Sequence, residues 1–299
     1  MSNLILLIGC LLAGVLLQRL RDFPDQAHRG LNAFIIYLSL PALTLLYIPR
    51  LELAWSLAYP VAMSWIVFGV AFGGFVGLGR WLKLDRRTVG CMVLCCGLGN
   101  TSFVGFPLIE QFYGQEGLTY AILCDQPGAF LVLATLVMAA VGYFTTGEVK
   151  LGDIGRRVIT FPPFLAFVLS LLIAPLGGVP TWLEPLLESL GSALTPLALV
   201  SVGLQLKLSR RQFEVGPFAL GLTYKLLLAP ALIWLLYAGL AGQSGLAIDV
   251  SILEAAMAPM ITASIIAIEN DLNPPLAGLF VGLGIPISLL TVYGWYALL

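Results

Sequence analysis

The sequence predicts an all-α polytopic membrane protein in which ten transmembrane helices form two inverted repeats of five helices. This fold class follows from an apolar composition, ten long apolar stretches and a one-sided distribution of basic residues. Of the 299 residues, 59% are hydrophobic and 10% are charged, and the mean hydropathy is +0.97. A soluble domain carries about 25% charged residues, and a disordered chain is polar. The net charge of −1 also argues against nucleic acid as a partner.

Ten apolar stretches are long enough to cross the hydrocarbon core of a bilayer, which is about 30 Å thick. We place them at residues 4–18, 31–48, 54–79, 88–109, 118–143, 158–176, 186–206, 215–240, 247–268 and 274–297. Most are continuous apolar runs, whereas the strands of a membrane barrel alternate polar and apolar residues. The spanning elements are therefore expected to be helices.

The basic residues lie almost entirely on one side of this arrangement. Thirteen of the 15 fall in loops that follow odd-numbered spans, namely Arg19, Arg21, Arg29, Arg80, Lys83, Arg86, Arg87, Lys150, Arg156, Arg157, Lys207, Arg210 and Arg211. The opposite side carries Arg50, and Lys225 lies within span eight. Because cytoplasmic loops are enriched in Lys and Arg, we expect both termini outside, in a protein integral to the plasma membrane.

Two pairs of prolines indicate an internal repeat. Pro41 and Pro196 occupy similar surroundings in spans two and seven, 155 residues apart. Pro107 and Pro259 lie in spans four and nine, 152 residues apart. The two similar offsets predict that one half of the chain repeats the other.

The repeat divides the chain into three parts. We predict an N-terminal five-helix unit at residues 1–147, a cytoplasmic linker at residues 148–157 and a C-terminal five-helix unit at residues 158–299. Because each unit has an odd number of spans, the two units lie in opposite orientations. Inverted repeats with interrupted helices at matching positions are typical of secondary transporters.

Spans four and nine are expected to be broken near the middle of the membrane. Residues 97–108 contain three glycines together with Asn100, Thr101 and Ser102. Proline removes a backbone donor and clashes with the preceding turn, so we expect breaks just before Pro107 and around Pro259. Each following half-helix would present free N–H groups and a positive dipole end to an anion.

Three charged residues lie inside predicted spans and away from their ends, where a charge costs about 2.5–3.5 kcal/mol on insertion scales. Asp125 is interpreted either as a cation site or proton carrier, or as a packing group bonded to Gln126 or to polar atoms of span four. Glu254 is interpreted either as a ligand of a coupling ion or as one member of a structural pair. For Lys225 we favour a structural role, as a counter-ion for Asp125 or Glu254 or as a side chain that reaches an interface.

Small residues in other spans are interpreted as packing groups. Cys91 and Cys95 lie one helical turn apart, and packing is favoured over a soft-metal pair, so no metal site is predicted. Glycines recur every four residues in two places, at Gly69, Gly73 and Gly77 in span three and at Gly278 and Gly282 in span ten. This spacing lets helices approach closely, and a sliding or dimer face is the alternative.

Three motifs carry a resemblance to a known family. They comprise Gly99, Asn100 and Thr101 with Gly105, Phe106, Pro107, Leu108, Phe112, Tyr113 and Gly114; the pair Asp125 and Gln126; and Leu253, Glu254, Ala255, Ala256 and Met257 with Pro259, Asn270, Asp271 and Pro274. With this spacing the whole chain resembles the auxin efflux carrier family of membrane permeases. Asp125 and Gln126 resemble a motif of its bacterial branch.

The resemblance implies that the two broken helices cross, and that a scaffold domain supports a mobile transport domain. It implies transport of organic anions, which are auxin in plants and dicarboxylates such as malate or malonate in some bacteria. It also implies a homodimer, and it places Asn100 and Pro107 at the substrate cradle and Gln126 at a supporting position. The wider fold group includes bile acid:sodium symporters and sodium/proton antiporters.

The sequence thus favours an alternating-access carrier for a small organic anion, a mono- or dicarboxylate. The candidate substrate-binding residues are Asn100, Thr101, Ser102, Phe106, Pro107, Gln126, Pro259, Met260 and Thr262. Asp125, Glu254 and Asn100 are candidates for coupling to Na⁺ or H⁺, and no other cofactor is expected. The alternatives are a Na⁺-coupled symporter of the bile acid type and a gated anion channel. An enzyme is disfavoured because no nucleophile with its base is recognisable, and the single histidine lies in a loop.

Overall fold

The computed structural model describes residues 2–20, 22–24, 26–51, 54–145, 151–206 and 215–299, and within these ranges it is helical and contains no strand. The helices are α1 (Ser2–Leu17), α2 (Ala27–Phe34), α3 (Leu40–Tyr47), α4 (Ala58–Trp81), α5 (Arg86–Gly97), α6 (Phe106–Leu123), α7 (Met138–Phe144), α8 (Leu151–Thr160), α9 (Pro162–Ile173), α10 (Glu184–Ser192), α11 (Leu194–Gln205), α12 (Val215–Thr223), α13 (Ala229–Trp234), α14 (Leu246–Ala255), α15 (Ile261–Glu269), α16 (Pro274–Gly282) and α17 (Gly284–Leu298). The basic residues Arg21, Lys150, Lys207, Arg210 and Arg211, and part of the predicted linker, lie outside the described ranges.

Five helical stretches in the described ranges are long and apolar enough to cross a membrane, or six if α16 and α17, bent by 44°, form one span. One of the five, Thr101–Phe144, is 44 residues long, about 66 Å at 1.5 Å per residue, and so twice the thickness of the hydrocarbon core. Gly114 interrupts it with φ 66°, between predicted spans four and five. The protein is a helical membrane protein, and the ten spans and their inverted repeat stay predictions.

Four prolines in or near helices coincide with wider π-helical turns. The pairs are Ile35–Ser39 with Pro41, Thr101–Gly105 with Pro107, Cys124–Phe130 with Pro127, and Tyr224–Leu228 with Pro230. A π-helical turn accommodates the missing N–H donor without ending the helix. The break predicted just before Pro107 is therefore wrong, because the chain is helical there and the interruption lies earlier, at residues 98–100.

Buried apolar side chains form two clusters, and α14 contributes to both. The first cluster is built mainly by α4, α5, α12 and α16, and the second by α3, α6 and α11. Ile248 and Ile252 of α14 belong to the first cluster, whereas Val250 and Leu253 belong to the second. The helix that carries Glu254 therefore lies between two cores.

The glycines that pack helices together are not the ones that the sequence pattern predicts. A Cβ atom would meet nothing within 4 Å at Gly69, Gly73, Gly77 and Gly278, so close packing at these four positions is wrong. The close approach occurs between α1 and α11, where a Cβ on Gly14 would lie 2.8 Å from the Cα atom of Gly203. The side-chain amide of Gln18 also donates to the Gly203 carbonyl.

Replacing Gly14 with valine should force α1 and α11 apart. Overpacking of this kind costs about 1–3 kcal/mol, and here the obstacle is backbone, which cannot move aside as a side chain can. We expect a lower melting temperature in detergent, measured by loss of the monodisperse peak after heating. Gly69→Val is the matched control, and equal stability of the two variants would contradict the close contact.

Candidate functional site

The interruptions of two helices meet at one point in the structure. The Asn100 N–H donates to the Ala258 carbonyl at 2.8 Å, and the Met260 N–H donates to the Leu98 carbonyl at 3.2 Å. These bonds form an isolated antiparallel bridge between Gly99 and Pro259. Each interruption thus satisfies backbone groups that the other leaves free, as is necessary for non-helical backbone at membrane depth. The interruption around Pro259 lies where the sequence predicts it.

Asn100 organises the start of the helix that follows the first interruption. Its side-chain Oδ1 accepts from the Phe103 N–H at 3.3 Å, and its backbone carbonyl accepts from the Gly105 N–H at 2.9 Å. The side chain is buried, and its Nδ2 group has no partner among the described residues. Asn100 therefore offers an unused donor beside the positive end of a helix.

Asp125 is held by a set of side-chain donors. Its Oδ1 atom accepts from Thr101 Oγ1 at 2.5 Å and from Ser102 Oγ at 2.8 Å, and its Oδ2 atom accepts from Gln126 Nε2 at 3.2 Å. These are the bonds to Gln126 and to polar atoms of span four that the packing interpretation predicts. Since three donors also stabilise a charged carboxylate, the geometry leaves a coupling role open.

A cavity of about 430 Å³ lies beside this cluster. It is lined by Ile36, Tyr37, Leu40, Ser102, Phe103, Asp125, Phe130, Leu133, Ala134, Thr160, Phe161, Pro162, Met260, Thr262 and Ile266. The lining is mostly apolar with a few polar groups, which is the usual character of a small-molecule site. The described residues of the lining include neither Lys nor Arg, so a bound anion would meet helix ends, hydroxyl groups and the Asp125 carboxyl group there.

The structure brings some of the predicted site residues to the cavity and places others behind it. Ser102, Asp125, Met260 and Thr262 line the cavity. The others are placed around it: Asn100 and Pro259 at the helix interruptions, Thr101 and Gln126 bonded to Asp125, Pro107 in the first turn of α6, and Phe106 fully buried in the second cluster.

Sequence reasoning missed the aromatic wall of the cavity. The rings of Phe130 and Phe161 are stacked with their centroids 3.9 Å apart, and Tyr37 lies on the same cavity. Phe130 follows Asp125 by five residues within a π-helical segment, so it lies about one turn further along the same face. The five-residue spacing between Asp125 and Phe130 indicates a shared face only if the segment is known to be π-helical.

Glu254 lies deep at the meeting point of the interruptions. The residue is fully buried, and neither carboxyl oxygen has a hydrogen-bond partner among the described residues. Gly105 packs directly against this carboxyl group, because a Cβ atom there would overlap Oε1 and Oε2 of Glu254. The structural pair expected for Glu254 is therefore absent from the described part of the chain.

Lys225 has a structural contact that differs from the expected ones. It is 1% exposed, so it does not reach an interface, and its Nζ group donates to the Ala255 carbonyl at 2.7 Å. The ion pairs in the described ranges are Arg50 with Glu184 and Arg87 with Asp271, so a direct pair of Lys225 with Asp125 or Glu254 is wrong. The ammonium group instead caps the C-terminal end of α14, where a cation is favourable.

The family of the chain follows from a comparison with known proteins. A family model described as "Membrane transport protein" matches residues 1–145 and 149–296, so the chain belongs to that family. The match confirms the resemblance to the auxin efflux carrier family.

The chain is also similar to individual transporters. It is 25% identical over 286 residues to an uncharacterized transporter of Methanocaldococcus jannaschii, covering 92% of this chain and 91% of that protein. It is 28% identical over 294 residues to an uncharacterized transporter of Methanothermobacter thermautotrophicus, covering 96% and 94%. It is 30% identical over 240 residues to a Rhizobium meliloti protein named "Putative malonate transporter", covering 76% and 73%. The family and these relatives are transporters and not enzymes.

Proposed function

We propose that this member of the membrane transport protein family is an alternating-access carrier for a small organic anion, a mono- or dicarboxylate. The observation that carries the proposal is the pairing of two interrupted helices beside a cavity that contains Ser102, Met260 and Thr262. Helix N-termini and hydroxyl groups bind an anion, and the lack of a fixed cation among the described lining residues favours its release.

The substrate cradle comprises the hydroxyl groups in the cavity and the donors behind it. Thr262 supplies a hydroxyl group, Asn100 supplies its unpartnered Nδ2 group, and Ser102 supplies a hydroxyl that turns from Asp125 to the anion when one binds. Thr101 and Gln126 support the cradle by orienting Asp125. In this proposal Phe106, Pro107 and Pro259 shape the backbone of the cradle, and Met260 contributes apolar contact.

The proposed topology has ten spans in the plasma membrane, with both termini outside. The five-helix units comprise residues 1–147 and 158–299, with the linker between them on the cytoplasmic side. The two described ion pairs support this arrangement: Arg50 pairs with Glu184 at 3.2 Å and Arg87 with Asp271 at 2.6 Å. Each pair joins two loops that the charge distribution assigns to the same side. A homodimer is part of the proposal and rests on the family resemblance.

Transport by the purified protein in proteoliposomes tests the proposal. Radiolabelled malonate is the first probe because of the name of the Rhizobium meliloti relative, and malate and lactate follow. We expect uptake above that of empty liposomes, and counterflow when unlabelled substrate is trapped inside. Uptake without counterflow would indicate a channel, and no uptake of any mono- or dicarboxylate would contradict a carrier for organic anions.

The cradle is tested by removing its hydroxyl groups. Ser102→Ala combined with Thr262→Val should raise the KM for the transported anion several-fold, because each hydroxyl contributes about 0.5–1.5 kcal/mol as a neutral hydrogen-bond donor. Thr135→Val is the matched control, since the Thr135 hydroxyl donates to a carbonyl of its own helix and does not line the cavity. An unchanged KM in the double variant would place the anion elsewhere.

A further inference from the structure

The carboxyl group of Glu254 lacks the donors that an ionised carboxylate needs. Both of its oxygens are buried and unpartnered among the described residues, and the backbone of Gly105 closes one side. An ionised carboxylate in such surroundings is very costly, whereas the neutral acid loses far less on burial. These surroundings therefore favour the neutral form of Glu254.

The charged and titratable groups that face Glu254 support this assignment. Asp125 and Cys124 approach from one segment and Lys225 from another. Asp125 adds repulsion, and the Lys225 ammonium is engaged by the Ala255 carbonyl and is not within 4 Å of Glu254. Within the described part of the chain, Lys225 thus compensates a charge on Glu254 only from beyond hydrogen-bond distance, and no group donates a hydrogen bond to the carboxyl.

Asp125 and Glu254 form a pair of carboxyl groups in contrasting surroundings. Asp125 accepts three hydrogen bonds and lines the cavity, so it tolerates a charge, whereas Glu254 accepts none from the described residues and lies behind Gly105. Two carboxyl groups whose environments differ in this way take different protonation states. The mobile proton is thus assigned to Glu254 and not to Asp125.

We propose that Glu254 carries a proton through the transport cycle, so that the anion and one proton move in the same direction. The proposal rests on the proposed carrier function and names its coupling ion. A proton on Glu254 removes a negative charge close to Asp125 and the cavity, so protonation favours anion binding and, by reciprocity, a bound anion favours protonation. The proton is taken up from water on one side and released to water on the other.

Accumulation driven by a pH gradient tests this coupling. Proteoliposomes are clamped at zero voltage with K⁺ and valinomycin and given an interior one pH unit more alkaline, with labelled malonate, malate and lactate as probes. One proton per anion gives about tenfold accumulation by the wild type, because one pH unit is a tenfold proton ratio. Glu254→Gln should exchange anion in counterflow but reach only the external concentration. Glu269→Gln, at an exposed carboxyl group, should accumulate like the wild type.

The outcomes separate this proposal from the carrier function. Full accumulation by Glu254→Gln, or wild-type accumulation driven by Na⁺ and not by pH, overturns the proton coupling while leaving the carrier intact. If no probe is transported, the carrier function fails. Infrared difference spectra of the wild type against Glu254→Gln and Glu254→Leu then still measure the protonation state of Glu254. A carbonyl band of a protonated acid that both variants lose is expected, and its absence overturns the assignment.

Discussion

Replacing Gly105 with valine is expected to abolish transport and to destabilise the protein. The added side chain would occupy the place of the Glu254 carboxyl group, which is fully buried and has to displace other atoms if it moves. Overpacking of this kind costs about 1–3 kcal/mol. Because the collision lies next to the paired helix interruptions, the damage falls on the site itself. Transport in proteoliposomes and the melting temperature in detergent are the two measurements.

A second substitution distinguishes this collision from a general effect of valine in a helix. Glu254→Ala combined with Gly105→Val should recover part of the lost melting temperature, because the carboxyl group that collides with valine is gone. Gly73→Val is the matched control, since a Cβ atom there meets nothing within 4 Å. A Gly105→Val protein as stable and active as the Gly73→Val protein would refute the contact.

Replacing Asp125 with alanine is expected to reduce transport at least tenfold. The change leaves the hydroxyls of Thr101 and Ser102 and the amide of Gln126 without their acceptor at the edge of the cavity. Each lost hydrogen bond to a charged group is worth about 1.5–3 kcal/mol, so even one of them accounts for the effect. The rate of counterflow, normalised to the amount of reconstituted protein, measures it.

A comparison of Asp125→Asn with Asp125→Ala separates the effect of hydrogen bonding from that of charge. Asp125→Asn keeps one carbonyl oxygen for Thr101 and Ser102, so its rate should lie between those of Asp125→Ala and the wild type. Thr119→Ala is the control, since its hydroxyl donates to the Gln115 carbonyl away from the cavity. Equal rates for the alanine and asparagine variants would show that charge, and not hydrogen bonding, is what Asp125 contributes.

The sequence predicts the membrane class, the family and the polar core of the site, because these depend on residue type. It does not predict where span four is interrupted. Pro107 marks the start of α6 after a π-helical turn, whereas the interruption falls at Gly99, whose backbone pairs with Pro259. Proline alone does not end a helix when a wider turn accommodates it, and glycine leaves helical geometry at little steric cost.

Other parts of the site depend on tertiary contacts that no local pattern records. Phe161 comes from the beginning of predicted span six and stacks on Phe130, which lies in the other half of the chain. The sequence suggests that Lys225 is a counter-ion for a carboxylate. In the structure its Nζ group instead donates to the Ala255 carbonyl at the C-terminal end of α14. Gly14 and Gly203 belong to no periodic stripe, and yet the backbones of two helices are in contact there.

The pairing of the two interruptions has a consequence for how the protein is made. The Leu98 carbonyl and the Asn100 N–H are bonded to Met260 and Ala258, which leave the ribosome about 160 residues later. An unpaired backbone group inside the lipid core costs several kcal/mol. During synthesis, the Leu98 carbonyl and the Asn100 N–H therefore need another hydrogen-bond partner, which is water or the insertion machinery. They pair with Met260 and Ala258 only after those residues have been synthesised. Each interruption thus depends on the other for its backbone hydrogen bonds.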